Sequence, residues 1–428
     1  MTLLSSTPRQ LSGRANLTYN LAGKLAYACS RAFLLIMIAK LGTVIMVGQF
    51  SLAFAITTPI FMMTDLDLRS VLVTDFQSKY NFGHYLGLRL LTIVPALIAV
   101  SFLSLCQKTT QTGIVILLVG IVKTFEAISD LLYGKMQQKE RLDKLGLSLI
   151  LKSVLSIVIA GLLLYLYKSM IACTIGLAAS YLIVLLVYDI PAVLPYGPLR
   201  ICIDRNIMLQ LLRLSLPLGI VLLFVSLNKN LSAYFIDTYL GSDSLGYYAS
   251  IIYIMTTGSM AVSSLGQAHN ARLAKLYGNE DIVGFMKILR GMVFLVGVLS
   301  TCMILTSVIF GGDILLLLYS REYSAYQNLF IFIMVAAGVS YIGEVVQYAV
   351  TATRQFKLQP FVYGLVLLMG LGINPIFIAR FNLIGAAGSI FITSCLQLGV
   401  NTYILYYMLH KQKIRKAISG ERKEQYDG

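Results

Sequence analysis

Apolar residues in this chain run in blocks of about twenty, and short polar segments separate one block from the next. A helix rising 1.5 Å per residue needs about twenty residues to cross a hydrocarbon core of about 30 Å. Roughly twelve blocks meet that length: 17–39, 44–63, 85–106, 113–133, 146–167, 169–187, 214–236, 245–268, 288–311, 328–349, 360–380 and 384–409. The pattern predicts an all-α integral membrane protein with about 12 transmembrane helices. The longest polar connection, from Tyr188 to about Arg213, contains Pro191, Pro195 and Pro198, a composition that suits a linker. The expected plan is an N-terminal six-helix half over 1–190, a cytoplasmic linker over 191–213, a C-terminal six-helix half over 214–410 and a basic cytoplasmic tail over 411–428.

Internal similarity supports two halves. LGTVIMVGQFSLA, Leu41 to Ala53, resembles LGSDSLGYYAS, Leu240 to Ser250, and GLAAS, Gly176 to Ser180, resembles GAAGS, Gly385 to Ser389. An even number of spans per half gives both halves one orientation, so the expected symmetry is a pseudo-two-fold along the membrane normal, with a substrate path between the halves. Pro59, Pro95 and Pro375 lie inside spans and are expected to kink them.

Composition agrees with a membrane location: 57% of residues are hydrophobic and 12% charged, and mean hydropathy is +0.79. The first span holds Lys24 and Arg31, which the apolar region of a cleavable signal peptide would not, so it is expected to remain in the mature protein. The formal net charge of +15 has a topological origin, because about 24 of the 34 Lys and Arg fall on one side of the predicted spans and about 5 on the other. Both termini, the 134–145 loop and the linker are therefore expected in the cytoplasm, with Lys411, Lys413, Arg415 and Lys416 on anionic headgroups. Nucleic-acid binding is not needed to explain the charge. Six scattered cysteines and His84, His269 and His410 show no metal-ligand spacing, so neither a metal site nor a Cys/His catalytic pair is expected.

The remaining basic residues, Lys24, Arg31, Lys123, Lys152 and Lys229, lie within spans, where a charge persists by facing a wet cavity, a partner or a substrate. Lys24 and Arg31 share one helix face two turns apart and can form a cationic strip; the bland reading of Lys24 is snorkelling, since it lies about 10 Å from the end of its span. Lys123, Glu126 and Asp130 form a second stripe, either self-neutralised and structural or a site of proton or cation coupling. Glu344 has no local basic partner and is the better protonation candidate, whereas Lys152, near a helix end, is expected to snorkel. Lys229 occupies roughly the repeat-equivalent place of Arg31, so each half is expected to contribute a cation.

LGTVIMVGQFSLAFAI, DLDLRSVLVTD, KTFEAISDLLYGKMQQKERLD (Lys123 to Asp143), SLPLGIVLLFVSLNKNLSAYFIDTYLGSDSLGYYA (Ser215 to Ala249) and YAVTATRQFKLQ (Tyr348 to Gln359) occur in this order along nearly the whole chain. In that respect the chain resembles the polysaccharide transporter, or Wzx-type, flippases of the multidrug/oligosaccharidyl-lipid/polysaccharide (MOP) exporter superfamily. The resemblance implies a MATE/MOP-like fold in a bacterial cytoplasmic (inner) membrane. It also implies movement of an undecaprenyl-pyrophosphate-linked oligosaccharide repeat unit to the outer leaflet for O-antigen or capsule assembly, alongside membrane lipids, a polysaccharide polymerase and chain-length proteins. No catalytic residue and no cofactor are expected, with H+ or Na+ as the coupling ion. The substrate cations are then Lys24, Arg31, Lys123 and Lys229, and the coupling acids Glu344, Glu126 and Asp130. Two alternatives stand beside it. A cation-coupled multidrug exporter of the same superfamily would prefer an acidic cavity, against which the basic excess argues. A membrane polysaccharide polymerase or ligase would need long outer loops and a clustered acid/base set, and the sequence offers neither.

Overall fold

The computed structural model describes residues 13–75, 80–353 and 358–424, the side chains of 13–15, 17 and 413–424 excepted. The polar N-terminus up to residue 12, the RQFK portion of the last motif, residues 354–357, and the side chains of Lys413, Arg415 and Lys416 therefore lie outside the described residues. Among the described residues the chain is helical throughout, without a strand. Two compact units divide it, residues 1–226 and 227–428.

The first unit begins with α1 (Gly13–Leu41) and α2 (Val44–Asp65), joined where the Thr43 side chain accepts a bond from the Met46 amide and starts the second helix. Leu66 and Asp67 adopt positive φ and turn the chain into the short α3 (Leu68–Thr74). α4 (Phe82–Leu105) and α5 (Thr110–Gln138) form a tight hairpin, with Thr109 capping α5. α6 (Leu142–Leu155) continues through a π-turn, Ser156–Ala160, into α7 (Gly161–Tyr167). α8 (Met170–Val184) likewise passes through a π-turn, Leu185–Asp189, into α9 (Ile190–Val193). Only residues 197–204 of the expected linker are irregular, because α10 (Arg205–Gly278) begins at Arg205 and its first turns pack Met208 and Leu211 against Leu66, Leu72 and Leu131 of the first unit.

The second unit takes in the rest of α10, followed by α11 (Ile282–Leu318), α12 (Gln327–Ala352) and α13 (Gln359–Glu424). Its core joins Phe285, Met292 and Val296 of α11 to Tyr341, Val345 and Ala349 of α12, with Val262 and Leu273 of α10. The two longest helices each change direction at one non-helical residue, Gly241 (φ 86°) in α10 and Asn382 (φ 53°) in α13. Gly241 belongs to the second Leu-Gly pair, and the first pair, Leu41 and Gly42, lies where α1 gives way to α2. Pro59, Pro95 and Pro375 are accommodated inside α2, α4 and α13.

Nine helices among the described residues are long and apolar enough to cross a membrane. α10 and α13 each contain two such runs, one on either side of the kink, and α5 is as long as the others but carries Lys123, Glu126 and Asp130. Large apolar side chains cover the outside: Phe102 is 66% exposed, Phe294 73% and Leu368 69%, an arrangement that water would penalise and lipid accepts. The protein is thus a multi-pass membrane protein.

Candidate functional site

α5 carries the polar centre of the first unit. Glu126 accepts hydrogen bonds from Lys123, one turn earlier, at 2.8 Å, from Arg31 of α1 at 3.1 Å and from the Tyr27 hydroxyl at 2.6 Å. Arg31 also donates to Tyr27 at 2.6 Å and to Tyr181 of α8 at 3.5 Å. The Phe54 ring of α2 takes the other side of both cations, its centroid 4.9 Å from the Arg31 guanidinium and 5.4 Å from the Lys123 ammonium. Two cations share one carboxylate, leaving this cluster with one net positive charge. A narrow cleft lined by Ser30, Arg31, Phe50, Phe54, Ser156 and Tyr181 opens beside it, and the Arg31 and Glu126 side chains keep 23% and 30% exposure.

One turn along α5, Asp130 accepts from Arg69 of α3 at 2.9 Å and lies 3.9 Å from a nitrogen of Arg89. Arg69 also donates to Gln137 at 2.9 Å, and Arg89, buried in α4, pairs with Asp65 at the end of α2. Neither basic residue belongs to the expected intramembrane set: Arg69 lies between two expected spans, and Arg89 stands near the start of the span expected over 85–106. DLDLR, Asp65 to Arg69, is the local signal that charge collects there, but the partners Arg89 and Asp130 come from other helices.

Lys152 corrects an expectation. It does not snorkel: its side chain is 2% exposed, and its ammonium lies 2.9 Å from the Asp189 carboxylate, itself fully buried, and donates to the Tyr133 hydroxyl at 2.7 Å. Ser129 and Ser148 donate to the same carboxylate, and Tyr133 and Ser148 lie 2.7 Å apart. Asp189 ends the π-turn after α8, so the irregular backbone brings the acid inside to meet the lysine. The reach of a lysine to the membrane surface loses here to a charged partner supplied from the next helix.

The other anticipated residues, Lys24, Lys229 and Glu344, form no ion pair among the described residues. Lys24 is exposed on the first helix, two turns before Arg31, without an ion pair among the described residues. Lys229, in the second unit, is also exposed without an ion pair among the described residues, while its neighbour Asn228 donates to the Tyr363 carbonyl at 2.9 Å. Glu344 of α12 accepts from the hydroxyls of Ser259, at 2.9 Å, and Ser263 of α10, and no cation pairs with it among the described residues. Gln347, on the next turn, accepts from Asn401 at 2.7 Å. Spacing brings Lys123, Glu126 and Asp130 onto one helix face but does not reveal Tyr27, the phenol that bridges Arg31 to Glu126, or Tyr181, which bonds both Tyr27 and Arg31. Tyr27 stands one helical turn from Arg31, the one local hint of that bridge. No group of three or more His, Cys, Asp or Glu that would hold a metal ion occurs among the described residues.

The lipid II flippase MurJ, in an inward closed conformation, superimposes with a TM-score of 0.75 at 14% identity, over 94% of this chain and 91% of that one. An inward-facing multidrug resistance MATE transporter of the MOP superfamily gives 0.73 at 12% identity, over 94% and 99% of the two chains. These two likenesses establish the fold. The capsular polysaccharide biosynthesis protein CapF of Staphylococcus aureus is 27% identical over 405 residues, 93% of this chain and 99% of that protein. The profile of a family described as polysaccharide biosynthesis protein matches residues 15–269, more than half of the chain, and the protein belongs to that family.

Proposed function

We propose that this protein is a flippase that carries undecaprenyl-pyrophosphate-linked oligosaccharide repeat units from the cytoplasmic to the outer leaflet for surface polysaccharide assembly. Transport is by alternating access across about twelve spans, in two halves, in a bacterial inner membrane with both termini cytoplasmic. The single observation that carries the reading is the Arg31, Lys123 and Glu126 cluster, a positively charged group within the membrane-spanning bundle of a polysaccharide biosynthesis family member.

Glu126 acts as a resident counter-ion. A pyrophosphate group that reaches the cluster when the unit opens offers Arg31 and Lys123 more negative charge than the carboxylate does, and the planar Arg31 fork matches phosphate geometry. When the substrate leaves, Glu126 takes the cations back, which keeps binding weak enough for release. Lys24, exposed two turns before Arg31, receives the headgroup on its way, and Lys229 supplies the cation of the second half. The polyprenyl tail stays in lipid. No covalent bond is made or broken, so the protein is not an enzyme; a polymerase and chain-length proteins act on what it delivers.

Glu344 is the coupling acid in this scheme, with Glu126 and Asp130 engaged by cations. The observation in its favour is a carboxylate held by two serine hydroxyls. Proton or Na+ exchange there alternates with substrate occupancy.

The test in cells is charge reversal. Arg31→Glu and Lys229→Glu should each abolish surface polysaccharide at normal membrane levels, and the Ala variants should be milder, because repulsion of the pyrophosphate adds to loss of the donor. Wild-type polysaccharide from both Glu variants would refute the reading.

A further inference from the structure

A second cationic site lies within the first unit, away from the Arg31 cluster. A cavity of ≈ 310 Å³ forms where α4 begins, α5 ends and the irregular segment after α9 crosses between them. Asn81, Gly83, Lys135, Tyr196, Arg200 and Cys202 contribute to its wall. The segment is fixed in place: the Cys202 amide donates to the Gly83 carbonyl at 3.1 Å, and a Cβ on Gly83 would sit 2.3 Å from the Arg200 carbonyl oxygen. Only glycine allows that approach, so the cavity is built into the backbone.

No carboxylate lines the cavity among the described residues. The Lys135 ammonium touches the Gln138 side chain at 3.2 Å and the Phe82 ring at 5.7 Å from the centroid, with no carboxylate in either contact. The like charge of Lys139 bears on it. Arg200 is exposed and makes no ion pair among the described residues. Asp75, an acid close to the start of α4, does not line the cavity and accepts from the Tyr80 amide and the Tyr85 hydroxyl. The start of α4 adds partial positive charge, and Asn81 makes no side-chain capping bond there.

Apolar side chains surround this charge. Leu194 (51% exposed), Ile201 (55%) and Ile203 (69%) project from the segment that carries Arg200. A soluble anion would leave them in water, whereas a lipid satisfies both, its phosphate on the cations and its acyl chains against the isoleucines. We propose that this cavity binds the phosphate of an anionic membrane lipid and anchors the segment joining α9 to α10 at the cytoplasmic membrane surface. The proposal rests on the membrane location of the chain and not on what it transports.

The test uses the purified full-length protein in detergent, with bound lipid counted by native mass spectrometry. Phosphatidylglycerol should be retained by the wild type, and phosphatidylcholine, whose choline offsets the phosphate charge, far less. Each of Lys135→Gln and Arg200→Gln should weaken retention by roughly tenfold, the effect of one charge-assisted hydrogen bond. Lys168→Gln, a cation between α7 and α8, serves as the control and should change nothing. Ile201→Ser with Ile203→Ser should lower lipid retention but leave the ability of millimolar inorganic pyrophosphate to displace lipid intact. Melting temperature without lipid reports folding, and Arg200→Gln, on an exposed residue, keeps the test open if Lys135→Gln does not fold. Equal retention by wild type and Arg200→Gln, or an equal loss with Lys168→Gln, would overturn the site. Pyrophosphate binding without phosphatidylglycerol binding would overturn the lipid as its occupant.

Discussion

Arg31 and Glu126, 95 residues apart in sequence, meet at 3.1 Å between α1 and α5. The arginine is therefore matched to an acid that also holds Lys123, and in the proposed mechanism Glu126 is the counter-ion that a phosphate replaces. Glu126→Gln removes the competitor. That variant should bind a lipid-linked pyrophosphate more tightly in detergent yet translocate it more slowly, because release loses its driving anion. Weaker binding with Glu126→Gln would show that Glu126 positions the cations instead of competing for them.

The Lys152 and Asp189 pair should behave as a structural tie. Removing one partner leaves a charge buried without compensation, so Lys152→Met should cost about 3–5 kcal/mol of stability, and Lys152→Met with Asp189→Leu should recover most of it. Alkylation of the fully buried Cys173 during a thermal melt, in a background without the other cysteines, would follow the unfolding. A single variant as stable as the wild type would mean that the pair contributes nothing to the fold.

α1 and α6 approach through glycines. A Cβ on Gly146 would lie 2.1 Å from the Tyr19 carbonyl oxygen, and one on Gly23 would lie 2.5 Å from the Gly146 carbonyl oxygen. Gly146→Val should separate the helices, displace Arg31 from Glu126 and reduce the folded protein recovered from membranes. Normal recovery and normal transport in that variant would contradict so close a contact.

Glu344→Gln keeps the size of the side chain and can still bond both Ser259 and Ser263, accepting from one hydroxyl and donating to the other, but abolishes proton exchange. A coupling acid should fail as both Gln and Ala, whereas a structural one tolerates Gln. Flipping in proteoliposomes under an imposed pH gradient separates the two, and unchanged gradient-driven transport with Glu344→Gln would remove this residue from the coupling scheme.

Much of the fold is legible in the sequence because membrane spans are set by a single strong requirement, an apolar run of sufficient length. The breaks at Leu41-Gly42 and at Gly241 follow from repeated glycines, and α5 announces its polar face by the spacing of Lys123, Glu126 and Asp130. Partner choice is less legible. Lys152 reads as a snorkelling lysine until Asp189 arrives from a different helix through a π-turn that no local residue pattern marks. Arg89 and Asp65 look like loop charges because each stands within a turn or two of a helix end, and only the packing of α2 against α4 turns them inward to pair. Helix faces can be read from spacing; which faces meet depends on tertiary packing.

The most direct test of the central claim is translocation of a fluorescent undecaprenyl-pyrophosphate-linked oligosaccharide in proteoliposomes holding only this protein, with the label in the outer leaflet quenched by an impermeant reagent. The account predicts that wild-type protein moves the lipid between leaflets with its glycan unchanged, and that Arg31→Glu, inserted to the same level, does not. Translocation at the wild-type rate by Arg31→Glu, or a glycan lengthened by the wild type, would contradict it.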